Sequence, residues 1–131
     1  MTKPITDHYG AYVTEPTRRL VWYSDEELNN EMWGGYYDQQ TRLELGILYA
    51  SREAAEMALI RAKCLRRLKE VAYGDGWLPK NEKDGFNLVY DCDFGMDVRF
   101  KTLGQMRKAE ESLTPEEKAA FLYVYKEKKG K

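Results

Sequence analysis

The spacing of apolar residues between positions 52 and 73 constrains the fold more than any other feature of the chain. These side chains recur every three or four residues and form one stripe: Ala54, Met57, Ala58, Ile60, Cys64, Leu65, Leu68, Val71 and Ala72. Ser51 is a good N-cap, and Gly74-Asp75-Gly76 stops the pattern. The sequence therefore predicts an amphipathic helix over residues 52–73, whose apolar face needs a second layer to cover it.

The segments before this helix contain candidate strands for that layer. Residues 19–23 are aromatic and β-branched, and the leucines of residues 42–49 alternate with charged residues. Both patterns predict strands. Residues 31–37 predict a second, short strand or turn segment, which its two glycines weaken. Between them, residues 24–30 are interpreted as a loop or a single helical turn.

The segments after the long helix carry clear turn and cap signals. Residues 86–92 and 96–101 flank Asp93-Phe94-Gly95, which predicts a β-hairpin. A shorter helix is expected over residues 103–111. Thr114-Pro115-Glu116-Glu117 is a capping box with proline at the first helical position, and the helix that follows is expected to include Val124 and Tyr125.

The order of these elements predicts an α+β fold. An antiparallel sheet packs against the long central helix, with a β-hairpin and a C-terminal helix added. The chain has 131 residues and no composition break, so a single domain over residues 1–131 is expected. Within it, residues 1–17 are interpreted as a flexible arm or an irregular wrap over the sheet, and residues 127–131 as a frayed tail.

Composition and charge argue against several classes of function. A net charge of −1 argues against a dedicated nucleic-acid binder and against an acidic DNA mimic. No apolar run approaches the length that spans a membrane, and the N-terminus lacks the apolar segment of a secretory signal. Cys64 and Cys92 have no CxxC neighbour and His8 is the one histidine, so neither a zinc site nor another cofactor is expected. These features favour a cytoplasmic protein with both cysteines in its core.

The chain shows no catalytic motif. Phosphate-binding glycine loops, nucleophile elbows and metalloprotease motifs are missing from the sequence, and a catalytic triad would need His8 from the N-terminal arm. The carboxylates of Asp91, Asp93 and Asp97 are close in sequence and are candidate ligands for a divalent cation. The simpler interpretation is a solvated hairpin tip. We therefore expect a protein that binds without catalysis and without a metal.

Arg61 is the most informative candidate for binding. On a helical wheel it lies inside the apolar stripe, where a buried guanidinium needs a partner. One interpretation is an internal ion pair or a side chain that extends to the edge of the stripe. The other is an anion receptor whose planar group holds a phosphate.

Aromatic residues and the polar face of the hairpin supply the other candidates. Aromatic residues crowd positions 22–37, and Trp33 is among those able to stack on a base. On the hairpin, Phe86 or Tyr90 offers a stacking plane, Asn87 and Asp91 suit ribose hydroxyls, and Arg99 suits a phosphate. The alternative is an ordinary core and an ordinary solvent face with cross-strand ion pairs.

Residues 42–70 carry a resemblance to small phage-encoded proteins. In that type of protein a strand similar to Arg-Leu-Glu-Leu-Gly-Ile-Leu-Tyr leads into a helix that starts like Ser-Arg-Glu-Ala-Ala-Glu. An aromatic strand precedes them and a polar-aromatic hairpin follows, so the resemblance extends over about residues 20–105. The chain is similar to phage counter-defence factors, among them the Thoeris anti-defence nucleotide-sponge family. It differs by its N-terminal arm and its capped C-terminal helix.

The resemblance implies a function in the host cytoplasm, where such proteins sequester cyclic ADP-ribose signals or cyclic oligonucleotides without cleaving them. An anti-CRISPR-like inhibitor that binds a host Cas nuclease complex is the alternative, and a nucleotide-acting enzyme is a third hypothesis. The expected partners are accordingly a small cyclic nucleotide or a host defence protein. Self-association into a homodimer or larger assembly is also expected, because the sheet is small and aromatic residues are many.

Overall fold

The fold is α+β, as the sequence predicts, with antiparallel strands and a long helix from Arg52 to Tyr73. The computed structural model describes residues 6–16, 20–24, 27–81, 83–91 and 94–126, and for residues 89–97 only the backbone. Its Cα positions form two compact units. We call residues 1–59 with 123–131 the sheet unit and residues 60–122 the hairpin unit. The domain count remains a prediction.

The sheet unit contains three strands in the order β2-β1-β3: β1 at Leu20–Ser24, β2 at Leu28–Met32 and β3 at Leu48–Tyr49. Both neighbours run antiparallel to β1. Because side chains alternate along a strand, β1 sends Trp22 to one face and Val21 to the other. The Trp22 face packs on the first two turns of α2 (Arg52–Tyr73) through Ala54, Ala55 and Ala58. Val21 and Leu48 pack with Leu43 on the opposite face. Both faces of this small sheet are therefore covered.

The strand predicted over residues 42–49 is confirmed only at residues 48–49, and the prediction was wrong for residues 42–45, which are helical. Helix α1 spans Tyr37–Leu45, and only Leu48–Tyr49 forms a strand. Gln39 stabilises the helix start by accepting a hydrogen bond from the backbone N–H of Tyr36, and Gly46 ends the helix at a φ of 73° that favours glycine. Leu45 is exposed while Leu43 packs inward, so the alternating leucines mark two sides of a helix.

The first two strands also differ from their predicted bounds. β2 begins at Leu28, inside the predicted loop of residues 24–30, and ends at Met32. Residues 33–36 then lead into α1, so of the strand or turn segment predicted over 31–37, the strand interpretation holds only as far as Met32. β1 includes Ser24, and Arg19 lies outside the described residues.

The N-terminal segment is an irregular chain over residues 6–16. Ala11 and Tyr12 are buried, and Ala11 forms a bridge with Tyr49. The N–H of Tyr12 also donates to the carbonyl of Leu48 over 2.8 Å. Through these contacts, residues 10–12 cover the edge of β3 that does not pair with β1. Residues 1–5 and 127–131, part of the predicted arm and tail, lie outside the described residues.

The hairpin unit builds its core between the hairpin and three helical segments. Strands β4 (Phe86–Asp91) and β5 (Phe94–Phe100) pair antiparallel, which confirms the predicted hairpin, although as a separate two-stranded sheet. Leu88, Val98 and Phe100 are buried with Cys64 and Leu68 of α2. Helices α3 (Leu103–Ser112) and α4 (Pro115–Phe121) contribute the rest of this core. Cys64 is thus a core residue as predicted, and Cys92 lies outside the described residues.

One member of the predicted apolar stripe and the end of one predicted helix need correction. Val71 belongs to the predicted stripe but is 53% exposed, because the core contacts of this turn are made by Leu68 and Ala72 instead. Helix α4 starts at the predicted capping box but ends at Phe121. Val124 and Tyr125 lie beyond it, and the N–H of Tyr125 donates to the carbonyl of His8 within the sheet unit.

Candidate functional site

A groove runs along the exposed side of the C-terminal half of α2. Its volume is about 640 Å³, and it is lined by Ala62, Leu65, Arg66, Lys69, Glu70, Tyr73 and Gly74. The spacing of three and four residues places these side chains on one face of the helix. Arg66 and Lys69 are exposed, whereas Leu65 and Tyr73 are half-buried against the core. The groove therefore combines an apolar side chain, Leu65, and the aromatic ring of Tyr73 with two exposed cationic side chains.

Tyr73 is held in place by two contacts. Its hydroxyl accepts a hydrogen bond from the N–H of Arg99 over 2.9 Å, which ties the end of α2 to strand β5. Its ring stacks on Trp77, with the centroids 6.4 Å apart and the planes 26° from parallel. A fixed ring loses little conformational entropy when a planar ligand stacks on it. Tyr73 is therefore a preorganised stacking surface.

Trp77 also borders a second concavity, of about 700 Å³, which is formed by residues 76–80 with Asp84 and Gly85. Gly85 has a φ of +80°, and a Cβ at this position would lie 2.7 Å from the Trp77 ring and 2.8 Å from the carbonyl oxygen of Phe100. Glycine is needed here because no larger residue fits between the ring and strand β5. The Tyr73–Trp77 pair thus separates the groove from this second concavity.

A partly buried ion pair on another side of α2 stabilises the hairpin unit. The guanidinium of Arg67 donates to both carboxylate oxygens of Glu117, over 2.6 and 3.0 Å. The same carboxylate accepts from the N–H of Thr114, which completes the predicted capping box. These hydrogen bonds, above all those from Arg67, lower the pKa of Glu117 from 4.5 to about 2. The ion pair links α2 to α4 and takes no part in lining the groove.

Cys64 lies next to this ion pair. Burial is the main cause that raises the pKa of its thiol to about 11, and a hydrogen bond to Glu117 and the negative charge of that carboxylate add to the effect. The thiol therefore stays protonated near neutral pH and is a poor nucleophile. Its position supports a structural role.

Arg61 lies on α2 in the hairpin unit and is half-buried, as its position in the stripe predicted. Its Nη1 donates a hydrogen bond to the carbonyl oxygen of Ala120 over 2.9 Å. Carbonyls in the last turn of a helix lack intrahelical partners and carry partial negative charge, so a guanidinium stabilises the end of α4 here. Arg61 is not among the residues that line the groove.

The hairpin candidates occupy one end of β4 and β5. Phe86 is 42% exposed and is opposite Phe100, and Asn87 is opposite Arg99. The Oδ1 atom of Asn87 is buried and has no hydrogen-bond partner among the described residues. The Nη1 atom of Arg99 donates to the carbonyl of Asp84, at the rim of the second concavity. Arg99 is therefore the predicted site residue that comes nearest to the Tyr73–Trp77 pair.

The other candidates do not join this group in the described structure. Tyr90 and Asp91 are in strand β4, but their side chains lie outside the described part, as does the rest of the proposed carboxylate cluster at Asp93 and Asp97. Trp33 follows β2 in the sheet unit, where it packs half-buried beside Val21 and Leu48. Its surroundings favour the core interpretation.

The sequence analysis does not identify the groove. Arg66 and Lys69 lie outside the predicted apolar stripe, and Tyr73 is the last residue of the predicted helix. The available signal was the spacing of Ala62, Arg66, Lys69 and Tyr73, which repeats every three or four residues beside the apolar stripe. A further signal was Trp77, an aromatic residue directly after the glycine-rich helix stop.

The described residues contain no group of three or more His, Cys, Asp or Glu side chains that could hold a metal ion. Within the same part of the chain, no helix is both long and apolar enough to cross a membrane. Comparisons of the chain with protein-family models, with curated proteins and with solved structures found no match. The chemistry of the groove is therefore the main structural indication of a function.

Proposed function

We propose that the protein is a binding protein whose groove on α2 takes an anionic ligand with a planar ring, of the nucleotide class. The observation that carries the proposal is the placement of Arg66, Lys69 and Tyr73 around one concavity of about 640 Å³. Small-molecule sites usually measure about 300–1,000 Å³ and combine apolar walls with a few polar groups. The groove matches this description in both size and lining.

Each part of a nucleotide has a counterpart among the lining residues. Arg66 and Lys69 supply charge-assisted hydrogen bonds to phosphate, and arginine does so in a planar, bidentate geometry. Tyr73, held by Trp77 and by the N–H of Arg99, offers a face on which a base stacks. Glu70 is a hydrogen-bond acceptor suited to a ribose hydroxyl.

The biological setting of this proposal comes from the resemblance of residues 42–70 to phage counter-defence factors. In that setting the ligand is a cyclic nucleotide immune signal, of the cyclic ADP-ribose or cyclic oligonucleotide type, in the host cytoplasm. Tight binding alone lowers the concentration of free signal, so no chemical step is required.

One observation favours a second candidate, direct inhibition of a host protein such as a Cas nuclease complex. The groove residues follow a single exposed helix face, which is also a surface on which a partner's helix can pack. Tyrosine and arginine are common in the energetic centres of protein interfaces. Under this alternative the same residues contact a protein partner and no small molecule.

An uptake and release experiment separates these functions. The purified protein is incubated with cyclic ADP-ribose or a cyclic dinucleotide, passed through a desalting column and heated to denature it, and the released small molecules are identified by mass spectrometry. Serum albumin treated in the same way controls for nonspecific carry-over. Release of the intact nucleotide is the expected result. A converted product would indicate an enzyme, and no uptake of either nucleotide would contradict the proposal in favour of a protein partner.

A further inference from the structure

The two edges of the sheet in the sheet unit differ. Strand β3 is covered, because Ala11 pairs with Tyr49 and the N–H of Ala50 donates to the carbonyl of Gly10 over 2.9 Å. Strand β2, at the other edge, pairs with β1 alone among the described residues. Its five residues keep an unbroken register with β1, from Leu20 opposite Met32 to Ser24 opposite Leu28. One edge is thus covered by the chain itself, and the other edge is a regular strand with no second partner strand in the part of the chain that the structure describes.

Strand β2 lacks several of the features that normally prevent edge strands from associating, and its one charged residue, Glu31, is paired with Arg42 of α1. Such features include lysine or proline on the edge and bulges that bend it away. The sequence of β2 is Leu-Asn-Asn-Glu-Met, and its register shows no bulge. Met32 is 59% exposed, and its cross-strand neighbour Leu20 is 42% exposed. An unprotected edge with exposed apolar side chains favours a partner strand.

We propose that β2 pairs with β2 of a second copy of this chain, antiparallel and centred on Asn30. The sequence of β2 is self-complementary in this register. Leu28 lies opposite the second copy's Met32, which makes two apolar pairs on one face of the sheet. Asn29 lies opposite the second copy's Glu31, so no like charges meet, and the two Asn30 side chains face each other as amides that both donate and accept hydrogen bonds.

The proposed pairing joins two three-stranded sheets into one six-stranded sheet through a two-fold axis. The two-fold symmetry closes the assembly at two copies, because it uses the open edge of each. The apolar pairs also cover Met32 and part of the surface beside Leu20. This interface lies in the sheet unit, so it is independent of the groove on α2, and neither proposal depends on the other.

Charge at position 30 tests the interface. Asn30 is exposed, so the fold tolerates a charge there, while the proposed register brings the two side chains at this position to about 5 Å apart. The wild type is expected to show twice the chain mass of 15.4 kDa by light scattering. Asn30→Lys and Asn30→Asp are each expected to halve that mass. An equimolar mixture of the two variants is expected to restore the dimer as a heterodimer, because opposite charges then meet.

Val71→Lys is the matched control, since it adds a charge at an exposed position of α2 in the other unit and is expected to leave the dimer intact. A monomeric wild type over a wide concentration series would overturn the proposal. So would a dimer that survives both charge variants, or a mixture that stays monomeric. A measurement without variants adds to the test: amide hydrogen exchange in residues 28–32 slows as the protein concentration rises if β2 is paired, and does not depend on concentration if its edge is free.

Discussion

Gln39 and Glu117 each stabilise the start of a helix, one in each compact unit, but with different chemistry. Each is the third residue of a helix and reaches back to the N–H of the residue that caps it, Tyr36 in one case and Thr114 in the other. Gln39 is 1% exposed and neutral, whereas Glu117 is 8% exposed and charged. Gln39 needs only backbone partners, and Glu117 needs the guanidinium of Arg67. The comparison teaches that the contact at the third residue of α1 does not depend on ionisation of that residue, whereas the corresponding contact at the start of α4 does.

The largest effect is expected from Gln39→Leu. This change removes the acceptor of the N–H groups of Gly34 and Tyr36 and the donor to the carbonyl of Met32. Three lost hydrogen bonds at about 1 kcal/mol each predict a fall in the free energy of unfolding of about 3 kcal/mol. Urea unfolding at neutral pH measures it. Gln40→Leu is the control, because the adjacent Gln40 bonds only to an exposed Glu15 side chain, and it is expected to cost less than about 1 kcal/mol.

A Gln39→Glu substitution tests the same comparison between the caps of α1 and α4. The new carboxylate keeps the bonds from Gly34 and Tyr36 but meets the carbonyl of Met32 without a donor, and the nearby Arg42 is already paired with Glu31 and Asp38. Its pKa is therefore expected to rise above the usual value. The variant should lose stability as pH rises from 4 to 8, opposite to the behaviour of Glu117. An unchanged profile would mean that the site is more hydrated than its burial indicates.

The next effect in size is the acid response of the hairpin unit. The pKa of Glu117 is about 2 in the folded protein against 4.5 ordinarily, so its contribution is complete above pH 4.5 and declines as pH falls toward 2. The shift corresponds to about 3 kcal/mol at most, and to about 2 kcal/mol after allowance for the partly exposed Arg67 side chain.

Glu117→Gln isolates this contribution, because it keeps an acceptor for the N–H of Thr114 and removes the charge. The difference in unfolding free energy between wild type and variant is expected to be about 2 kcal/mol at pH 7 and to fall to less than about half of that value at pH 3. Urea titrations at both pH values give the two differences. Equal differences at pH 7 and pH 3 would show that the ion pair does not stabilise the fold.

The smallest effect is expected from Arg61→Met. The side chain donates to the carbonyl of Ala120, and the apolar stem of methionine fills most of its space. A fall in stability of about 1–2 kcal/mol is expected, with ligand uptake per folded molecule unchanged. Melting temperature and uptake are measured on the same sample. Abolished uptake with unchanged melting would restore Arg61 as an anion receptor.

The sequence predicted elements whose signals lie within a few neighbouring residues. Ser51 and the apolar stripe defined α2, and the Thr114–Glu117 capping box defined the start of α4. Helix α1 was not predicted, because its cap depends on a buried glutamine that also bonds to Gly34 and Met32. No short sequence pattern indicates that this glutamine is buried. The short strand β3 depends equally on pairing with the distant Trp22 and Tyr23.

The candidate site could be predicted only in part. Arg99 is predicted from its chemistry, and it lies beside the second concavity. The groove residues Arg66 and Lys69, by contrast, have the sequence pattern of an ordinary solvent-exposed helix face. A helical wheel of α2 shows which side of the helix faces the core. The shape of a groove depends instead on where the neighbouring segments of the chain end. Here the contact between Tyr73 and Trp77 requires the close approach of Gly85 to the ring, which no local pattern in α2 contains.

The most direct test of the proposed binding function is a calorimetric titration of groove variants with cyclic ADP-ribose and with a cyclic dinucleotide. Arg66→Glu combined with Lys69→Glu reverses both groove cations. Lys63→Glu combined with Arg107→Glu makes the same change in net charge at exposed residues outside the groove. The groove variant is expected to bind at least about 100-fold more weakly than wild type, since two charge-assisted contacts are lost, while the control changes less than about threefold. Equal weakening in both variants, or no binding by the wild type, would contradict a nucleotide site in the groove.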